Sequence, residues 1–592
     1  MLRNTYNAYP KNRISGLRGY FAVVDQKAKA EMVPAASSQT PISNLSQLTN
    51  DVTEQTNHIN TLERGRGYLN GNGIYVNSSD LGEIAWESDN ESDDSAYINE
   101  SVTFYKDTGD YSSYAFTLIF DNLSGDFLRD FDLDVYKDDT LIVHEEVRGN
   151  LKVKYISKDP ADNYNKVIVT AKRTCLPRQR ARIIEFRFGV HEIITPDRVK
   201  SVHIVNECSP LCESIPSNEI RVVIDNSMQL YNLVNPKGFY KYLQDGQIIY
   251  IEGGTGNYPD GKIEYLPMGT FYYSKTRKHE SESTAEVIGY DKIYSMDEGS
   301  YTKGQLTKQT LKTVLEWIFE PYNVELDIPD NIASRIIPAG IYDKTPREAL
   351  QMAVQAAMCT GFMGRDNKFK IKDFQEGEIV QELKRNQMHS NATIDVLDPV
   401  NTIEVPAVDI STVSGFANTK LLYSANISLN GEQAITAEYN DNADPDETTI
   451  VATPGSVLVS AEKNIKSATI KLRGTGTVNI NITAPSKITS QTVFYVSNKK
   501  TSDDERARRF ANQLIESDAA DTFGNWLLLQ LEKRVDYTIN EPGNLARELI
   551  DTVKVHDEFG SNRPAIEYKQ EWTFETWWKL TSKMRGGGVN VD

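Results

Sequence analysis

The residues best spaced for chemistry lie at Gly256-Asn257-Tyr258-Pro259-Asp260-Gly261-Lys262-Ile263, which satisfies the GxxxxGK pattern of a phosphate-binding loop. Ile263 stands where a Ser or Thr would hold magnesium, and the pattern runs into a strand rather than a helix whose amino end could hold phosphate. The stretch therefore reads as a Pro-Asp-Gly hairpin turn. His-Glu pairs begin at His144, His191 and His279, but none is followed by a second His one helical turn later, so no zinc-protease face forms and all are expected to be exposed strand or loop histidines. His203, Cys208 and Cys212 carry ligating atoms, yet their spacing is irregular, Pro210 separates the cysteines and no fourth ligand is near in sequence. Asp89, Glu91, Asp93 and Glu100 imitate a calcium loop. Asp94 occupies the place of its turn glycine and no helices flank it, so a solvated acidic loop is expected.

No Gly-x-Ser-x-Gly elbow and no Cys and His arrangement announces a nucleophile. No catalytic, cofactor-binding or metal residue is predicted, and the chain is read as a non-enzyme. Trp572, Phe574, Trp577 and Trp578 could stack on sugar, but neighbours in a strand point to opposite faces, so a core or a subunit interface is the expected place for them.

The elements that position these residues centre on 218–297. Apolar residues alternate there through Ile220, Val222 and Ile224, through Ile249 and Ile251, and through Phe271 and Tyr273, the period of half-buried strands. Asn235-Pro236 and Asp245-Gly246 punctuate them, giving an antiparallel unit of about five strands. Upstream, residues 20–25 form one strand and a connector follows. A tight-turn signal lies within 61–76, then an acidic segment at 80–110 with ten carboxylates against Lys106. Residues 102–189 are short strands and turns in which Ile184, Phe186 and Phe188 alternate with Glu185 and Arg187, the pattern of a β-sandwich.

Downstream, Leu311, Val314, Leu315 and Ile318 share one helical face. Thr345-Pro346-Arg347-Glu348 is a capping box opening a second helix, with Leu350, Ala353, Val354 and Ala357 inward and Gly361 as its stop. Residues 395–500 return to β pattern, with Val478, Ile480 and Ile482 alternating against Asn479, Asn481 and Thr483. Residues 438–447 are a further solvated acidic turn. Ser502 to Glu505 can cap a helix; 518–533 is a helix with Phe523, Trp526, Leu527, Gln530 and Leu531 at helical spacing. The last strands precede a Gly-rich end, MRGGGVNVD, expected to be flexible.

With 592 residues the chain has room for roughly four domains at about 150 residues each. Its 39% hydrophobic and 25% charged residues are those of a soluble globular protein. A net charge of -19 argues against a dedicated nucleic-acid surface, which needs clustered Lys and Arg. Four cysteines, Cys175, Cys208, Cys212 and Cys359, are too few for a disulfide scaffold and read as free thiols. No apolar run approaches the ~18 residues of a membrane span and the start lacks a signal-peptide core, so folding in a cytoplasm without membrane insertion is expected.

In order, the chain carries a strand ending in Asp225-Asn226, then Asn235-Pro236, Tyr240-Lys241-Tyr242-Leu243 before Gly246, Leu266-Pro267-Met268-Gly269-Thr270-Phe271-Tyr272 and Tyr290-Asp291-Lys292-Ile293-Tyr294. That series resembles the tail-tip and baseplate hub proteins of tailed bacteriophages, including the amino-terminal part of tail-associated lysins. Thr345 to Gln351 and the Pro542-Gly543-Asn544 step followed by Asp551-x-Val553-x-Val555 are similar to the same group. The resemblance implies a mainly β, multidomain (α+β) fold, and at 510–515 it implies a strand, which stands beside the helix that the cap at 502–505 allows. A first hub β-barrel would be discontinuous (1–43 with 196–300), interrupted by a jelly-roll-like β-sandwich (44–195). A small α/β domain (301–385), a second hub barrel (386–420 with 500–585), a β insertion (421–499) and a flexible tail (586–592) would follow.

It also implies a structural virion protein at the tail tip, a homotrimer whose two barrels per subunit make a pseudo-sixfold ring. That ring would dock distal tail or tail-tube protein, with tape-measure, receptor-binding or fibre proteins as further partners, while DNA passes the lumen without specific binding. Assembly in the bacterial host cytoplasm is implied. In tail lysins a hydrolase begins where this chain stops. Two other readings stand beside it: a host-attachment module whose 102–189 sandwich binds surface glycan, and a tail-associated peptidoglycan hydrolase.

Overall fold

The computed structural model describes residues 13–41, 43–50, 85–121, 126–232, 235, 238, 240–257, 261–277, 283–412, 419–485, 487–498, 506–556 and 562–587. The turn signal in 61–76, the Pro259-Asp260 step, His279, the cap at 502–505 and the Gly-rich end from 588 lie outside them. The alternating stretches form strands as expected, and thirteen strands pair into one sheet. In chain order they are β1 (Arg13–Val24), β2 (Gly189–Ile194), β3 (Val199–Glu207), β4 (Glu219–Asp225), β5 (Ile248–Asn257), β6 (Ile263–Arg277), β7 (Thr284–Tyr290), β8 (Ile379–Leu383), β9 (Thr393–Val396), β10 (Val535–Glu541), β11 (Thr552–His556), β12 (Asn562–Phe574) and β13 (Trp578–Gly586). Their order across the sheet is β2-β1-β5-β6-β7-β4-β3-β12-β13-β10-β9, with β11 joining β12 to β8.

β1 pairs on one edge with β5 and on the other with β2, so the amino-terminal strand is held among strands more than 150 residues away. The run Phe21-Ala22-Val23-Val24 explains how. Phe21 and Val23 enter the core of the large sheet, while Ala22 and Val24 enter the core of the sandwich. A strand buried on both faces needs apolar residues at every position rather than every second one. Asp25 then caps the helical turn α1 (Gln26–Glu31) through the backbone N–H groups of Lys27 and Ala28.

The two expected barrels do not close. Among the described residues β2 pairs only with β1 and β9 only with β10, and the free edge of β3 is taken by β12 instead of returning to β2. The result is one continuous curved sheet. A single apolar core runs from Phe21, Val222, Ile251 and Phe271 to Trp572, Phe574 and Trp578. Between β2 and β4, under the loop carrying Leu230 and Tyr231, a cavity of about 120 Å³ lies where closure would require a strand pairing.

Residues 86–121 and 126–188, joined by Val33–Ala36, form the sandwich. A five-stranded sheet, in the order Val33–Ala36, Tyr97–Tyr105, Lys166–Thr174, Leu128–Lys137, Thr140–Val147, packs through Phe104, Phe116, Phe131, Phe186 and Phe188. On its facing side Arg182 is buried between Glu87 and Asp121. Two further helices, α2 (Leu311–Phe319) and α3 (Pro346–Ala356), pack on each other beside a three-stranded sheet of Glu325–Asp327, Lys368–Lys372 and Thr360–Met363. The Thr345–Glu348 capping box forms as read. The stop differs: Met358 takes the left-handed conformation (φ 57°) that ends the chain's helical turn, and Gly361 sits inside the following strand.

Thr402–Thr412 pairs on one edge with Lys487–Ser497 and on the other with Ala507–Arg509, under helix α4 (Ala520–Leu531), in a sheet separate from the large one. Residues 510–515 are neither helix nor strand. Buried Asn512 explains this, because its side chain donates to the Met352 carbonyl and to Gln355 Oε1 and accepts from the Leu514 N–H. The remaining insertion is a long hairpin, Thr419–Glu438 with Ser467–Pro485, joined by two shorter strands; Val478, Ile480 and Ile482 are buried in it as their alternation required.

Candidate functional site

The place where the two halves of the large sheet meet is built on β12. Its opposite edge is covered along its length by β13, while the first edge changes partner midway: residues 562–566 pair with β11 and residues 569–574 with β3. A register shift between Glu567 and Lys569 marks the change. A bulge of this kind re-aims a side chain and frees backbone groups. The loop after β10 takes up the freed groups: Ile550 N–H donates to the Glu567 carbonyl and Glu567 N–H to the Asp551 carbonyl.

The re-aimed side chain is Glu567, and it meets Arg547 from that loop. Arg547 Nε and Nη2 donate to the two Glu567 carboxylate oxygens, each at 2.8 Å. Nη2 also donates to Glu541 Oε1 at 2.6 Å and Nη1 to Gln381 Oε1 at 3.3 Å. Arg547, Glu541 and Glu567 are all fully buried. Gln570 Nε2 donates to Glu567 at 2.8 Å, and Asn544 Nδ2 to Gln381 at 3.0 Å. Burial opposes the charge on Arg547, but the carboxylates of Glu541 and Glu567 outweigh it and hold the guanidinium above its ordinary range. Burial raises Glu567 against the pull of Arg547.

A second arginine enters from the strand pair of the α/β region. Arg365 donates to the Leu545 carbonyl at 2.8 Å and to Gln570 Oε1, with its guanidinium 5.0 Å from the Trp572 ring centroid. Burial lowers its pKa to about 10. From the other side, Arg13 of β1 donates to the Pro542 and Gly543 carbonyls, and Trp578 Nε1 donates to the Gly16 carbonyl at 2.8 Å. The knot therefore ties β1, β8, β10, β12 and the α/β region together. Each nitrogen of Arg547 is committed to a partner, so the chemistry available is positional: two bidentate-capable carboxylates fix one planar fork.

The residues weighed in the sequence fall elsewhere. β5 and β6 pair up to Gly256–Ile263, so the GxxxxGK spacing spans a hairpin. His144 lies on the sandwich surface against Asp134, whereas His191 is buried and its ring stacks on Tyr20 at 4.3 Å, against the expectation of an exposed histidine. His203 is half-buried in β3 and burial lowers its pKa. Cys208 and Cys212 belong to different apolar clusters, and burial pushes both thiols up. Asp93 caps the Ser95 and Tyr97 N–H groups, Asp94 pairs with Arg178, and Glu100 accepts from Asn90 and Ser38. Among the described residues no group of three or more His, Cys, Asp or Glu is placed to hold a metal ion. Trp572, Phe574 and Trp578 are core residues, and Trp577 is partly exposed in the bend between β12 and β13.

Sequence reading missed Arg547, Glu541, Glu567, Gln381 and Arg365 altogether. One signal was present: Gln570 falls on the same strand face as Trp572 and Phe574, a polar residue where the alternation calls for an apolar one.

No family model matches the chain, and no curated protein matches it. Solved structures do. The chain is similar to the 43 kDa tail protein of prophage MuSo2 from Shewanella oneidensis, with 11% identity over 66% of this chain and 95% of that one and a TM-score of 0.38. It is similar to a tail protein from Neisseria meningitidis, with 10% identity over 67% and 93% and a TM-score of 0.40. A prophage tail protein, gp18, from Listeria monocytogenes gives 11% identity over 67% and 91% with a TM-score of 0.34. Tail and prophage tail proteins are thus among the solved structures to which this chain is similar.

Proposed function

We propose that this chain is a structural, non-enzymatic protein of a phage tail, a hub at the tail tip or baseplate that closes the distal end of the tube. One observation carries the reading: the pairing of β3 with β12 makes two β units of one subunit into a single arc, locked by the buried Arg547 knot. Three copies of such a two-unit arc would close a ring with six similar faces, the arrangement needed to dock a sixfold tube or distal tail protein. Rotational closure repeats one interface, so the end strands β2 and β9, each with one unpaired edge in the sheet order, are where subunits would meet. The acidic balance of the chain suits a lumen that passes DNA without holding it.

Electron microscopy of the purified protein, alone and with tail-tube protein, tests this. Ring-shaped trimers are the expected result. Monomers that form no ring even beside tube protein would overturn the proposal.

A further inference from the structure

A cleft of about 540 Å³ opens between β6, β7 and the turn that follows α2, and five tyrosines line it: Tyr272, Tyr273, Tyr290, Tyr294 and Tyr322. The rings of Tyr290 and Tyr294 lie parallel with centroids 4.3 Å apart, and Tyr294 is 48% exposed, so one face of a rigid aromatic pair is open to a ligand. Lys292 does not offer its charge to the cleft. Its ammonium donates to the Tyr322 and Asn323 carbonyls, bracing the wall, and lies 5.6 Å from the Tyr272 ring centroid. Asp245 and Glu298, with the buried Asp291, are the carboxylates of the lining.

That size and mixture suit a small-molecule site, which combines mostly aromatic walls with a few convergent polar groups. Charge selects the ligand. With the lysine engaged and carboxylates at the rim, anionic groups are repelled, and the ligand must bring hydrogen-bond donors and an apolar face. A pyranose has both: C–H groups on one face to lie against a tyrosine ring, and hydroxyls that donate to carboxylates. A proline-rich peptide would also stack, but its prolines lack the N–H donors that the carboxylates require.

We propose that this cleft binds a neutral oligosaccharide, with a sugar ring on the open face of Tyr294 and its hydroxyls donating to Asp245 and Glu298. The assignment is independent of ring assembly. Saturation-transfer NMR on the full chain with the trimer of N-acetylglucosamine and with maltotriose tests it. Binding of at least one sugar with Kd on the order of 1 mM is expected. Tyr294→Ala should weaken it about tenfold, and Glu298→Gln, which keeps every ring in place, by a few-fold. No transfer to either sugar at about 10 mM, sugar binding unchanged in both variants, or a proline-rich decapeptide that binds more tightly and displaces the sugar would each overturn it. A chain that forms rings and binds no sugar would remove this proposal and leave the hub reading standing.

Discussion

Strands β1–β7 and strands β8–β13 belong to one sheet, yet their interiors are filled by opposite means. The first set buries Phe21, Ile204, Val222, Ile249, Ile251, Phe271 and Val287 against one another. The second has a smaller apolar cluster around Val535, Tyr537, Ile539 and Val553, and beside it the fully buried Arg547, Glu541 and Glu567. Apolar packing is non-directional and forgives volume-conserving exchanges of side chain. A buried guanidinium between carboxylates forgives almost none, because each lost partner leaves a desolvated charge. The charged solution sits at the splice, where β12 changes neighbours and register must be fixed.

The comparison breaks most visibly at Arg547. Arg547→Ala strands Glu541 and Glu567 in the interior without a counter-charge, and a loss of about 3–5 kcal/mol is expected. Thermal and urea unfolding of the full chain measure it, and hydrogen exchange should place the added opening in β10–β13. A loss below about 1 kcal/mol would mean that water reaches the knot and that it fixes nothing.

The same contrast decides how much could be read from the chain. The strands of the first set were legible because burial on one face writes period two into the sequence, as at Ile220, Val222 and Ile224. The capping box at Thr345 was legible because its chemistry is local, within four residues. Closure was not. Whether β3 returns to β2 or goes on to β12 depends on pairing between residues more than 300 apart, which no local pattern records. The knot was hidden for a related reason. Arg547 and Glu541 lie in a polar stretch that looks solvated, and only the long-range placement of Glu567 and Gln381 removes the water.

Asp291 sharpens the comparison from the first set's side. It follows β7 and is buried, accepting from the Asn218 N–H at 2.8 Å and the Ile293 N–H at 3.0 Å. Unlike the carboxylates of the knot, it has no hydrogen-bonded cation, and burial pushes its pKa up to about 7 despite those N–H groups. A carboxyl raised in the folded state binds its proton more tightly folded than unfolded. Its stabilising contribution is therefore complete below the ordinary carboxylate range and is lost as pH rises to about 7. Relative to Asp291→Asn, which stays neutral, the wild-type chain should lose about 2–4 kcal/mol between pH 4 and pH 7.5. A difference between the two that stays constant over that window would show the N–H groups to be sufficient counter-charge. The first set would then share the second set's way of burying charge.

The smallest expected effect tests the forgiving side. Ile249 is fully buried in the apolar core and borders the 120 Å³ cavity between β2 and β4. Ile249→Val removes one methylene where space already exists, and the neighbours can relax only toward that space. A cost of about 0.5–1.5 kcal/mol is expected. Its partner measurement is Arg547→Lys, which keeps the charge and most of the volume but replaces a planar fork with a single point donor. If the buried knot is directional, the lysine must cost more than the trimmed isoleucine, since Glu567 loses its two-pronged contact and Gln381 loses the Nη1 donor. Equal costs in matched unfolding experiments would mean that charge alone, and not geometry, holds β12 at the splice.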